Sequence, residues 1–274
     1  EWTTSPVNLS MSGTLVTSGS GNGTSTQFVT SAAGATNVNF GILLPSSYSN
    51  GNPLVVTNMY VNGAATDTTR PTLVGQDYLN TGSVQNLAFP PAIGATWGLA
   101  YKKDTKTLYA AAVLKRHVGF GAGADGTANT QDDISSIYIM NNYAGSGAAT
   151  VSAVVDVAAL SGLSFGTNPR VGASPANDLA GPGDPNHDYG VYGHEGKIGI
   201  GDIEMSADGK TLYVMNLNLN KLVLFNVSNP TSPAYIGAYD VPNPGCVAGG
   251  AYHPWAIGSH GASIYVGGVC SANL

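Results

Sequence analysis

The chain reads as an all-β protein assembled from four-stranded antiparallel sheets, and three observations predict this. Apolar and polar residues alternate strictly over short runs rich in Val, Ile, Tyr and Phe, as half-buried strands require. Charged residues are only 9% of the 274, against roughly 25% in typical soluble domains, with 37 glycines among what replaces them. That composition suits strands and turns and disfavours helices whose exposed faces need Glu, Lys and Arg. Finally, one pattern of strands recurs along the chain.

The clearest copy runs from residue 200 to 241. GDIEMS is a short strand, Asp208-Gly209 a tight turn and KTLYVMNL a second strand. NKLVLFNV supplies a third strand, and PAYIGAYDV, after a Pro-containing connection, a fourth. Four antiparallel strands over this length make one propeller blade. A second copy opens with WGLAYKKDTKTLYAAAV at Trp97, where Asp104 and KTLY match Asp208 and the later KTLY. After a long insertion, ISSIYIMNNY and TVSAVVDV complete it. A third begins at HPWAIGSHGASIYVGGV, with Trp255 in the place of Trp97 and Ile264 in that of Leu108 and Leu212.

The predicted organisation follows: an N-terminal β segment over 1–66, and a β-propeller region over 67–274 with blades at about 96–158, 200–241 and an incomplete one from 253. The first segment is Ser/Thr/Gly-rich, with short strands in VNLSMSGTLVTSG and STQFVTSA, and fits a small β-sandwich-like unit or an extended arm. AATDTTRPT, residues 64–72, reads as a linker, and residues 73–92 as an outer strand of a blade. A closed propeller takes roughly four to eight blades. The sequence therefore predicts a fragment of a longer protein, with an edge covered by another copy as the alternative. Glu1 in place of a start methionine reads as a mature or truncated end.

Those repeats resemble YVTN-type β-propellers of bacterial and archaeal surface proteins and some secreted enzymes. TWGLAYKKDTKTLYAAAVLKRHVGFG, KIGIGDIEMSADGKTLYVMNL and PGCVAGGAYHPWAIGSHGASIYVGGVC more narrowly resemble bacterial cell-surface proteins that carry SdrD B-like domains. VNFGILLPSSYSNGNPLVVTNMYVNG, residues 38–63, resembles the junction between a β-sandwich module and such a propeller. The resemblance implies fold and surface location, and leaves the biochemical role undefined.

Charge excludes some function classes. The net charge is −6 and no Lys/Arg run exists, so the footprint a nucleic acid would need is missing. The pairs Lys102–Lys103 and Lys115–Arg116 read as solvated strand ends. No apolar run reaches membrane-spanning length. Cys246 and Cys270 lie near the end with only His253 and His260 between them, which fits no standard zinc spacing. A disulfide there would contribute about 3 kcal/mol and favour an extracellular, oxidising setting. Two free thiols are the alternative.

Candidate sites are sparse. GAGADGTANTQDD, residues 121–133, places Asp125, Asn129, Asp132 and Asp133 close together as hard oxygen ligands for calcium, without EF-hand spacing. A solvated acidic hairpin insertion explains the same residues. Asp184, His187, Asp188, His194 and Glu195 could ligate a transition metal, although the histidine spacing matches no recognised site. His117 follows a strand, but no G-x-S-x-G elbow is present. Glu195 with Glu204 could form a glycosidase-like pair, with nothing local to bring them together. Asp202 reads as orienting backbone turns, and Trp97 with Trp255 as packing between blades.

The functional expectation is a secreted or cell-surface structural protein, not an enzyme, mediating extracellular assembly or adhesion as a sheath, fibre or surface layer. Its partners would be copies of itself or other surface components, and the cofactor expectation is none, with calcium as the alternative. The alternatives are an extracellular propeller hydrolase or lyase and a glycan-binding module.

Overall fold

In the computed structural model the described residues are 53–79, 81–141, 148–172, 179–247, 250–260 and 263–271, with the backbone of four short strands before them. Those four are β1 (Trp2–Thr3), β2 (Thr14–Val16), β3 (Thr26–Gln27) and β4 (Gly41–Leu43). β1 pairs with β3 and β2 with β4, both antiparallel. The other residues before 53 lie outside the described residues.

The chain divides into two compact units, Glu1–Leu54 with Asp77–Thr81, and Val55–Gln76 with Gly82–Leu274. Residues 64–72, read from sequence as a linker, are tied into the second unit. The Gly63 amide donates to His117 O at 2.8 Å, the Ala64 amide to Ala180 O at 2.9 Å, and Gly119 returns a bond to Gly63 O at 3.0 Å. Asp67 helps fold the segment, because one carboxylate oxygen accepts from the amides of Thr69 and Arg70 and the other from Arg70 Nε. These bonds hold its pKa well below the usual carboxylate range, the Thr69 amide foremost.

Three strands, β5 (Leu54–Asn58), β6 (Leu73–Asp77) and β7 (Gln85–Ala88), form one sheet. A short helix α1 (Pro90–Ile93) follows, with proline at its start where no amide bond is lost. Residues 73–92 thus contribute two strands and a helical turn.

The next two sheets are the predicted blades. β8 (Thr96–Lys102), β9 (Thr107–Ala112), β10 (Ser136–Met140) and β11 (Ala153–Asp156) run antiparallel in chain order. So do β12 (Ile200–Met205), β13 (Thr211–Asn216), β14 (Lys221–Asn226) and β15 (Ala234–Asp240). β16 (Tyr252–His260) and β17 (Ser263–Cys270) form a two-stranded pair. The first strands lie side by side in the order β8, β12, β16. This is the arrangement of a partial β-propeller. Each first strand also breaks register near its start, at Thr96/Leu99, Ile200/Ile203 and Pro254/Ala256. A bulge there strengthens local twist, and the break falls on Trp97-Gly98, Gly201-Asp202 and Trp255.

Period-two alternation decides which face meets which neighbour. Tyr109, Ala111, Ile137 and Ile139 of the first blade pack with Ile203, Leu212, Val214, Val223 and Phe225 of the second. On the opposite face of the first blade, Leu108, Ala110, Tyr138 and Met140 are also buried. That blade is therefore apolar on both sides, which explains the unbroken runs TLYAAA and SIYIM. Tyr213, Met215 and Leu222 turn the other way and meet Trp255, Ile257, Ile264 and Val266 of the strand pair.

Polar clips fasten the blades. The Asp202 carboxylate accepts from the Ile203 amide at 3.0 Å and from the Ile257 amide at 3.1 Å, joining β12 to β16. Burial raises its pKa against those two bonds. Asp202 thus lies within a strand and links neighbouring blades. Trp97 and Trp255 meet edge to face, 5.9 Å between ring centroids, with Trp97 half exposed.

Lys102 corrects a sequence expectation. It is 3% exposed, not solvated. Its Nζ donates to Asp104 Oδ2 at 2.7 Å and to Gly209 O at 2.9 Å, binding the KKDT turn of one blade to the ADGK turn of the next. A lysine whose charge is neutralised and whose donors are engaged can be buried. Among the described residues, no helix is long and apolar enough to cross a membrane.

Candidate functional site

The long loops that follow β9 and β11 pack on one another, and they carry nearly all the sequence-predicted site residues. A short helix, α2 (Val157–Ser161), begins the second of these loops. It is capped by Asp156, whose Oδ1 accepts the Ala158 amide at 2.9 Å, and closed by left-handed Gly162.

At one end of the first loop, residues 131–135 form a 3-10 turn with a capping box between Thr130 and Asp133. Thr130 N donates to Asp133 Oδ2 at 3.1 Å, and Thr130 Oγ1 to Asp132 Oδ1 at 2.7 Å. Asp125 N donates to Asp132 Oδ2 at 3.0 Å, and Asp125 Oδ1 accepts the Thr127 amide at 2.7 Å. Asn129 adopts φ 65°, a left-handed conformation that asparagine tolerates. Of the four residues proposed as calcium ligands, Asp125, Asp132 and Asp133 turn their oxygens to the loop's own amides and hydroxyls, and Asn129 gives its amide to Asp133. Asp133 is fully buried, and burial pushes its carboxyl up to about 6 despite bonds from the Thr130, Asn129 and Gly123 amides. The loop expected to be solvated contains a buried carboxyl because Gln131 draws it inward. Gln131 Nε2 donates to Gly166 O at 2.8 Å and Oε1 accepts the Asn168 amide at 3.0 Å.

At the other end, Arg170 and Asp188 form a buried bidentate ion pair. Arg170 Nη1 donates to Oδ1 at 2.8 Å and Nη2 to Oδ2 at 2.7 Å, with both side chains 1% exposed. Arg170 Nη2 also reaches Lys115 O at 2.9 Å and Val118 O at 3.1 Å. Asp188 Oδ2 accepts the His117 amide at 2.5 Å. Asp188 and His117 both hold positive φ, 45° and 70°, so the two turns are shaped to meet across this pair.

Around that centre the loop of residues 180–196 is fastened at many points. Arg116 N donates to Glu195 Oε1 at 2.6 Å, and Arg116 Nη2 to His187 O at 3.0 Å. The Arg116 guanidinium lies 5.5 Å from the Tyr192 ring centroid, and Lys115 Nζ lies 4.8 Å from that of Tyr60. The Lys115–Arg116 pair thus clamps two tyrosines and is partly buried. Asn62 Nδ2 reaches Asp184 O at 3.1 Å, Asn186 Nδ2 reaches Asn62 Oδ1 at 2.7 Å, and the His117 ring bonds Asn186 Oδ1.

Asp188, Glu195 and His117 are therefore brought together, but as fasteners. His194 is exposed and donates its amide to Val191 O at 3.0 Å. Glu204 accepts Ser259 Oγ at 2.7 Å in the seam between β12 and β16, a different contact from that of Glu195. Among the described residues, no group of three or more His, Cys, Asp or Glu is placed to hold a metal ion. Arg170 and Asn62 escaped sequence reasoning. The usable signal was scarcity: with ten Lys and Arg in the chain, an arginine inside a Pro/Gly-rich loop needs a partner.

Cys246 and Cys270 are disulfide-bonded, Cα atoms 5.5 Å apart, tying the connection before β16 to the end of β17. The bond is compatible with an oxidising, extracellular location.

No family model matches the chain. It is similar to Colossin-D of Dictyostelium discoideum, 25% identical over 247 residues, covering 84% of this chain and 23% of that protein. The chain thus spans less than a quarter of that relative's length. Among solved structures it is similar to a Lactobacillus plantarum protein, 16% identical, covering 75% of this chain and 56% of that one, with TM-score 0.29. It is also similar to the periplasmic gluconolactonase of Pseudomonas aeruginosa, 14% identical, covering 78% and 77%, with TM-score 0.26.

Proposed function

We propose that this chain is the propeller part of a secreted or cell-surface structural protein, non-catalytic, that acts in extracellular assembly or adhesion. The bacterial surface-protein resemblance of the YVTN-like repeats agrees with this reading. So does the disulfide, which persists where conditions oxidise thiols.

One observation carries the assembly half: the outer edge of β17. Its counterparts β9 and β13 each pair on both sides, whereas β17 pairs with β16 alone among the described residues. SIYVGGVC holds no charge and no proline, the usual devices that blunt an edge. Tyr265 and Val269 on it are about two-thirds exposed. Such an edge accepts a further antiparallel strand by main-chain bonding, from a later part of a longer chain or from another copy. The hydrolase or lyase alternative would need His117, His194 and Glu195 on a common ligand, and the first and third are engaged in loop fastening.

The test is light scattering and electron microscopy of the purified chain beside its Y265K/V269K variant. Concentration-dependent oligomers or fibres that the variant loses are expected. Compact monomers at every concentration in the parent chain overturn the assembly reading.

A further inference from the structure

The loop of residues 180–196 is held from below far more firmly than a surface connection requires, and it displays two tyrosines. Residues Tyr189–Val191 form a 3-10 turn, and the Tyr192 amide bonds Tyr189 O at 3.1 Å. A 3-10 turn has three residues per revolution, so positions 189 and 192 project from the same side, about 6 Å apart along its axis. Tyr189 is 79% exposed and Tyr192 73%, while Val191 between them is buried. The Arg116 guanidinium covers one face of Tyr192, so the outward face is the one presented. Directly before the turn sits Asp188, fixed by Arg170.

From this geometry we infer that Tyr189 and Tyr192 form a binding platform for a neutral, extended polysaccharide. Tyrosine offers a large, rigid amphipathic face with little rotamer entropy to lose. A pyranose ring carries a C–H-rich face that stacks on such a ring and hydroxyls that bond at its rim. The rise of about 6 Å between the two positions is close to the spacing of consecutive sugars in an extended chain. Groups of both signs lie at Tyr192, the Arg116 guanidinium against its ring and Glu195 on the Arg116 amide, which suits hydroxyls better than a ligand of one charge. Gly190, Gly193 and Gly196 flank the tyrosines and build no walls, whereas a proline-rich peptide docks in a groove between aromatic rings. The inference deepens the adhesion reading by naming a target class and rests on that reading for its setting. Its test uses the dispersed chain and does not depend on assembly.

The chain is run by native electrophoresis through gels holding β-glucan, xylan or mannan, beside alginate gels, and titrated calorimetrically with the retarding polymer and with a polyproline peptide. Retardation by at least one neutral polymer is expected. Y189A and Y192A should each weaken binding at least about tenfold, Y189A with unchanged thermal unfolding and Y192A with only the small drop that loss of the Arg116 contact brings, while Y192F, which keeps the ring, retains binding. The inference is overturned if no neutral polymer binds, if binding survives both alanine variants, or if only alginate or polyproline binds. Oligomers without polysaccharide binding would leave the edge reading standing and remove this one.

Discussion

Replacing Arg170 by Met tests the loop architecture most directly, because the ion pair it makes is 1% exposed on both sides. The substitution removes two charge-assisted bonds to Asp188 and two more to the carbonyls of Lys115 and Val118. It leaves the Asp188 carboxylate buried, with the His117 amide still donating to it. Breaking one side of a buried pair costs roughly 3–5 kcal/mol, because the remaining charge has lost its compensation. For a chain of this size that corresponds to a drop in Tm of roughly 6–20 °C. In R170M/D188N the charge is gone, Asn tolerates the left-handed backbone at 188, and an oxygen still faces the His117 amide. The double variant should therefore recover roughly 2 kcal/mol relative to the sum of the two single variants. Urea unfolding followed by circular dichroism measures all four corners of the cycle. A cost below about 1 kcal/mol for R170M, or strict additivity in the double variant, refutes the view that this pair holds the loop.

Three other predictions use different parts of the fold. Asp133, raised to about 6 mainly by burial, takes up its proton in the native state before the unfolded chain does near pH 4. Stability from this group should therefore rise by about 2 kcal/mol between pH 7 and pH 4. Asp202, also raised by burial, acts in the same sense. Below about pH 4 the trend reverses, as Asp67, Asp104 and Asp208, all lowered by hydrogen bonds, are protonated. Urea midpoints across that range should show this rise in the parent and a flatter profile in D133N, and identical profiles would contradict it. Reducing the Cys246–Cys270 bond should cost about 3 kcal/mol and speed hydrogen exchange in β16 and β17 before β13 and β14, since a two-stranded pair is marginal alone. Equal acceleration in all four strands would argue against local release. Gly98→Ala would set a Cβ 2.6 Å from Ile203 N across the β8–β12 seam, so it should lower stability by roughly 1–3 kcal/mol. An unchanged melting curve would mean that the seam is loose.

Much of the fold could be read before the structure, and the reason is local. Each strand of the two blades carries its own alternation, and Asp104 and Asp208 mark turns whose chemistry is complete within a few residues. Alternation also identified Leu108, Leu212 and Ile264 as equivalent, and all three lie on second strands. The candidate sites were less legible. Acidic residues in 121–133 look alike whether they face water, a cation or their own backbone, and only the docking of Gln131 against Gly166 and Asn168 separates these cases. Lys102 and the Lys115–Arg116 pair look solvated in sequence because their partners, Gly209, Tyr60 and Tyr192, lie far along the chain.

By itself, then, the sequence determined the strands and turns of the two four-stranded sheets and the pairing of its two cysteines as a possibility, because these follow from periodicity and short-range stereochemistry. The tertiary structure alone decided that Arg170 is paired with Asp188, that Asp202 clips β12 to β16, and that Tyr189 and Tyr192 stand outward on a fixed turn. Those outcomes depend on which groups lose water together when distant loops meet, and the energy of a buried charge or an exposed ring is set by that meeting.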